Sequence, residues 1–233
     1  IMTNQFQNSL NELTLLLQSR ANGDNAVHMS AYMKNRFSFF GIKTPERRKL
    51  TREWWTKFPI ASESELLNLA NELWNLEQRE FHYVGSDTLK KYKSMLTPSA
   101  LNTLKRLIIN NSWWDTVDTL AAHPIGQIIL NYPESGQIMD IWIEEDNMWV
   151  RRTAILHQLQ FKIKTNENRL FYYCEKCMDE KEFFIRKAIG WALRQYSYTN
   201  MKSVLDFVHV YEDRLSHLSK REAMKGYNRI NKN

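Results

Sequence analysis

The sequence is poor in the residues that make sharp turns, with 7 Gly and 5 Pro in 233 positions, against a usual combined share of roughly 12%. That scarcity disfavours a turn-dense β-sandwich or barrel and favours helices joined by short loops. Cysteine is almost absent, and the only two, Cys174 and Cys177, form a C-x-x-C. Zinc would need two further ligands, and none of the six His lies nearby in sequence. A thioredoxin-type site would need a βαβ context that is missing. The pair therefore reads as two free thiols one turn apart on a helix. No apolar run approaches the roughly 20 residues that span a bilayer. The stretch from Met2, taken as the start with Ile1 set aside, to Arg20 is amphipathic rather than a leader, so the expected location is cytoplasmic. P-loop, G-x-G-x-x-G, G-x-S-x-G and H-E-x-x-H motifs are all missing. The expectation is therefore no organic cofactor and no metal.

Charge is present but not extreme: 32 basic and 26 acidic side chains leave a net +6, which permits nucleic-acid binding without demonstrating it. Apolar residues make up 43%, enough for a substantial core, and no Gly/Ser linker interrupts the chain. One continuous helical domain over 2–233 is expected. Thr44-Pro45 reads as a helix start, with Gly41 closing the helix before it. Ser62 opens a segment to about Leu76, Thr97-Pro98 and Ser112 open others, and His123-Pro124 and Tyr132-Pro133 read as breaks. Trp74, Trp114, Arg152 and Trp191 recur at intervals of about 40 residues, close to the period of a HEAT or armadillo hairpin. The fold class is read as all-α: a right-handed α-solenoid of HEAT-like, armadillo-type repeats whose concave face carries aromatic and basic residues.

Projection at 100° per residue separates packing from the remainder. After Ser112, the stripe is Trp113, Val117, Leu120 and Ala121. Asp115 reads as the second half of a capping box, whereas Asp118 lies a turn deeper, one turn from Trp114. The pair is either a solvated carboxylate beside a half-buried indole or part of a site. In a helix from Met148 to about Ile163, Arg152 projects into the apolar stripe and needs a partner, either in an ion pair inside the fold or on a phosphate. In the helix from Glu182 to Tyr196, Phe183, Lys187, Gly190, Trp191 and Arg194 lie opposite the core stripe. That face is either a second packing surface or an aromatic and basic one suited to nucleic acid. Near the N-terminus, Tyr32 and Arg36 precede Thr44, Arg47, Arg48, Lys49 and Arg52, a basic run at a helix start that could equally be a solvated face.

The segments Tyr32-Met-Lys-Asn-Arg36, Gly41-Ile-Lys-Thr-Pro-Glu-Arg-Arg48, Ser112-Trp-Trp-Asp-Thr-Val-Asp118, Asp146-Asn-Met-Trp-Val-Arg-Arg152, Lys181-Glu-Phe-Phe-Ile-Arg-Lys-Ala-Ile-Gly-Trp191 and Leu218-Ser-Lys-Arg-Glu-Ala223 resemble the AlkD-type alkylpurine DNA glycosylases, in order along nearly the whole chain. The resemblance implies a HEAT-like solenoid that cradles duplex DNA and excises cationic N3- and N7-alkylpurines, such as 3-methyladenine and 7-methylguanine, without flipping the base. It implies that Asp118 is the catalytic carboxylate and that Trp114 and Trp191 are aromatic walls around the damaged nucleotide. Tyr32 would be a cleft residue and Arg152 the arginine on the DNA backbone, while Thr44, Arg47 and Arg48 lie in a DNA-touching segment. Lys187 and Arg194 join the DNA-binding set from the helical projection. The partner is then alkylated double-stranded DNA, with no membrane, no metal and a monomeric protein. Trp74 receives no role. Two other readings stay open, a protein-binding solenoid scaffold and a DNA-binding paralogue without activity.

Overall fold

Polar side chains at helix starts set much of the chain path. The computed structural model describes residues 4–230, which contain helices and turns and no strand. The chain forms two compact units, Ile1–Met95 and Leu96–Asn233. Their boundary falls between two 3-10 turns, Lys93–Met95 and Pro98–Ala100, which a sequence without a Gly/Ser linker does not announce.

The first unit holds α1 (Asn4–Gln18), α2 (Gly23–Tyr32), α3 (Thr44–Lys57), α4 (Glu63–Trp74) and α5 (Arg79–Lys91). Leu13 and Leu17 of α1, Trp54 of α3, Leu69 and Leu73 of α4 and Phe81 of α5 share its core. Ser62 caps α4 by accepting the Glu65 amide at 3.2 Å, and Glu65 returns a bond from the Ala61 amide at 3.0 Å, so the expected start at Ser62 holds. Gly41 does not close a helix, because α2 has already ended at Tyr32. Its φ is +90° and a Cβ there would stand 2.0 Å from the Asn22 carbonyl oxygen, so close backbone approach is the reason for glycine. The buried Glu80 carboxylate accepts the amides of Phe40, Gly41 and Ile42 at 3.0, 2.9 and 3.1 Å, anchoring the loop before α3. Trp74 is buried with its ring 5.3 Å from that of His82 and serves packing.

The second unit holds α6 (Leu101–Ile109), α7 (Trp114–Leu120), α8 (Gly126–Asn131), α9 (Gly136–Trp142), α10 (Met148–Leu156), α11 (Glu167–Cys177), α12 (Phe183–Ser197), α13 (Met201–Val210) and α14 (His217–Ile230). Asn147, Asn166 and Asn200 cap α10, α11 and α13. Within this unit α7, α10, α12 and α14 pack in succession, and α9, α11 and α13 fill a second row against them, the layered arrangement of an α-solenoid. Three local expectations are corrected. His123-Pro124 does not break the chain: Ala121–Ile125 widens to a π turn between α7 and α8, which tolerates the N–H that proline lacks. Ser112 makes no capping box, since its hydroxyl donates to the Ile108 carbonyl and Asp115 accepts the Thr116 amide. The helix from Met148 ends at Leu156 rather than near Ile163.

Cys174 and Cys177 are free thiols on α11, both buried. Burial pushes both thiols up, Cys177 to about 12, which suppresses thiolate chemistry. Among the described residues no group of three or more His, Cys, Asp or Glu could hold a metal. No described helix is long and apolar enough to cross a membrane.

Candidate active site

Asp118 sits in the second turn of α7, and its carboxylate meets Arg152 of α10. Arg152 Nε donates to Oδ1 at 2.7 Å and a terminal nitrogen donates to Oδ2 at 2.9 Å, the paired geometry that planar guanidinium favours. The remaining terminal nitrogen donates to the backbone carbonyl of Phe184 on α12. Three helices are thereby joined through one side chain. The Trp113, Trp149 and Phe184 rings pack together at centroid distances of 5.0 to 5.7 Å. The guanidinium carbon lies 5.7 Å from the Phe184 centroid.

Exposure separates the two charges: the Asp118 side chain is 13% accessible and that of Arg152 only 4%. Burial pushes the Asp118 carboxyl above the usual carboxylate range, Arg152 opposes that rise by hydrogen bond and charge, and Asp115 adds to it. Desolvation outweighs pairing here.

Arg152 corrects an expectation. It does not reach out as a clamp for the DNA backbone, because all three of its nitrogens are engaged and the residue is buried. The ion pair that an arginine in an apolar stripe requires is made to Asp118 itself. Trp114 lies one turn before Asp118 on α7, half-buried. Trp191 is half-buried on α12, seven residues after Phe184 and so on the same side of that helix.

Lys187 and Arg194 keep partly exposed side chains, but the face they share is also a packing face. α14 packs against α12 there, and the buried Glu222 accepts from Lys187 at 2.8 Å and Arg194 at 3.2 Å. The second-packing-face reading is the one realised at Gly190, where a Cβ would stand 2.5 Å from Glu222 Cβ. In the first unit, Arg47 is corrected as well. It is buried, pairs with Asp87 at 3.1 Å and lies 4.6 Å from the Tyr83 ring centroid, so it is not presented to DNA. Arg48 shares Asp87 at 3.3 Å but keeps half its surface exposed. Thr44 is exposed as the first residue of α3, whose cap is Lys43, and Tyr32 is 70% exposed at the end of α2.

Residues that sequence reasoning missed are the Phe184 carbonyl, Asp87 and Glu222. Glu222 was reachable, since it stands within the Leu218–Ala223 segment that the sequence singled out. A backbone carbonyl carries no such signal.

Against this geometry stand the comparisons with known proteins. The family described as DNA alkylation repair enzyme matches residues 13–226. A solved structure titled a predicted DNA alkylation repair enzyme from Enterococcus faecalis shares 32% identity, with a TM-score of 0.81, over 88% of this chain and 95% of that one. No curated protein matches.

Proposed function

The chain belongs to the DNA alkylation repair enzyme family, and from that premise we propose that it is a DNA glycosylase. Its substrates are cationic N3- and N7-alkylpurines in duplex DNA, and its catalytic residue is Asp118. The observation that carries this reading is the Asp118–Arg152 fork: a carboxylate held by both oxygens, on a side chain that is mostly but not fully buried, one turn from Trp114.

Hydrolysis of an N-glycosidic bond builds positive charge on the deoxyribose. Many glycosidases need a second carboxyl group to protonate the leaving group. A purine alkylated at N3 or N7 already carries a positive charge, so the electrons of the broken C1′–N bond neutralise it and no acid is required. Water adds to C1′ and gives up a proton, which the Asp118 carboxylate takes and passes to solvent. A fixed carboxylate stabilises the cationic sugar best where water is partly excluded, which the buried fork supports. Trp114 and Trp191, given their roles by resemblance, would each add roughly 0.5 to 2 kcal/mol through their ring faces. A neutral lesion gains less from all three residues. The base is taken to stay in the duplex, so that bulky adducts are tolerated.

The test is release of 7-methylguanine or 3-methyladenine from methylated duplex DNA. Wild-type protein is expected to release the free base and leave an abasic site, and Asp118→Asn is expected to lose that release. No release by the wild type, with duplex binding intact, selects the inactive DNA-binding reading. Equal release by both sinks the role of Asp118.

A further inference from the structure

The Leu218-Ser-Lys-Arg-Glu-Ala223 segment has no part in the reaction above, although it belongs to the matched motifs. It lies in α14, and the structure gives it a specific task. Ser219 Oγ donates to the Arg186 carbonyl of α12 at 2.8 Å. Gly190 of α12 clears the space in which the Glu222 side chain starts, since a Cβ there would also stand 2.8 Å from the Ser219 carbonyl oxygen. Glu222 is thus 2% exposed, yet its carboxylate faces cations. Oε1 accepts from Lys187 at 2.8 Å and from Lys225 at 2.6 Å, and Oε2 accepts from Arg194 at 3.2 Å.

Three cations around one carboxylate leave two positive charges over. A pair that only needed neutralising would stop at one, as Asp118 does with Arg152. The three side chains are not buried: those of Lys187, Arg194 and Lys225 are 38%, 27% and 50% accessible. Arg194 gives Glu222 one of its three nitrogens. Lys187, Trp191 and Arg194 fall at i, i+4 and i+7, so they follow one another along a single side of α12. Burial alone would push the Glu222 carboxyl up, but the hydrogen bonds from Lys187 and Lys225 hold it down at about 2.

We propose that Glu222 is a positioning residue that gathers Lys187, Arg194 and Lys225 into a preformed contact for a DNA backbone phosphate beside Trp191. Long basic side chains lose rotamer freedom when they order on a ligand, and anchoring them beforehand removes part of that cost at binding. This inference rests on the reading that the protein acts on duplex DNA.

The experiment measures affinity for a short unmodified duplex against salt concentration, together with kcat and KM for release of 7-methylguanine. The variants are Glu222→Gln, Glu222→Asp and Lys225→Met. Glu222→Gln removes a negative charge and raises the net charge by one, so attraction by net charge alone makes it bind more tightly. The positioning role makes it bind less tightly, with the loss mainly in KM and partial recovery in Glu222→Asp. Lys225→Met is expected to lower the slope of log K against log salt by about 0.9, one phosphate contact. Tighter or unchanged binding by folded Glu222→Gln overturns the proposal. If Glu222→Gln fails to fold, the half-exposed Lys225 decides: an unchanged slope in Lys225→Met overturns it. Wild-type binding without base release refutes the glycosylase reading and leaves this one standing, whereas no binding of duplex DNA by the wild type refutes both.

Discussion

The second unit contains two arginine–aspartate forks of nearly the same geometry in different surroundings. Arg152 meets Asp118 at 2.7 and 2.9 Å, and Arg169 meets Asp140 at 2.9 Å through both contacts. The carboxylate of the second fork is 42% accessible against 13% for the first, and the two respond in opposite directions. At Asp140 the Arg169 hydrogen bond outweighs burial and, with help from the Tyr173 hydroxyl at 2.6 Å, holds the carboxyl below the usual range. At Asp118 burial outweighs Arg152 and pushes the carboxyl up. Hydrogen-bond geometry alone therefore does not set the direction in which a paired carboxyl shifts. Between these two forks, the amount of water removed does.

The largest effect that would test this contrast is on stability. Arg152→Ala strands a desolvated carboxylate and is expected to cost about 3–5 kcal/mol, whereas Arg169→Ala, at a wetter pair, is expected to cost about 1 kcal/mol or less. Denaturant unfolding of both variants measures the difference, and equal losses would erase the distinction. Next comes catalysis: Asp118→Asn is expected to slow single-turnover release of 7-methylguanine about 10²–10³-fold, while Asp140→Asn leaves it unchanged.

A smaller effect lies in pH. Because the Asp118 pKa is raised on folding, its contribution to stability is fully present below the ordinary value of 3.8 and is lost as pH rises through the folded pKa. The Asp140 contribution runs the other way, present above 3.8 and lost as pH falls through its lowered pKa. The stability gap between wild type and Asp118→Asn should thus shrink with rising pH, and the gap to Asp140→Asn should widen. Base release should show an acid limb above 3.8. Parallel pH curves for the two variants would contradict the opposed shifts. The smallest effect concerns α11, which supplies Arg169. Its buried Cys174 and Cys177 should resist alkylation in the native protein and react on unfolding, as followed by intact mass.

Much of this was legible in the sequence, and where it was not the reasons are physical. Helicity followed from the scarcity of Gly and Pro and from periodicity, and Ser62 marked its helix because a cap acts over three residues. Pro124 misled, because a π turn absorbs a missing N–H without ending the helix. Ser112 and Asp115 misled in a similar way: their spacing suited a capping box, but each found another partner within four residues. Arg152 was recognisable as a charge in an apolar stripe, yet its partner stands 34 residues away. The burial of Arg47 and the tie of Lys187 and Arg194 to Glu222 were hidden because projection along one helix does not know what packs beside it.

The amino-acid sequence by itself determined that the chain is helical, that Trp114 and Asp118 share a side of one helix, and that Arg152 must find a negative partner. These depend on intervals of a few residues, over which helix geometry is set locally. Tertiary structure alone decided that the partner is Asp118, that Phe184 completes the fork, and that Glu222 binds three cations. Those outcomes depend on which helix lies against which and on how much water each contact excludes, quantities that no local spacing contains.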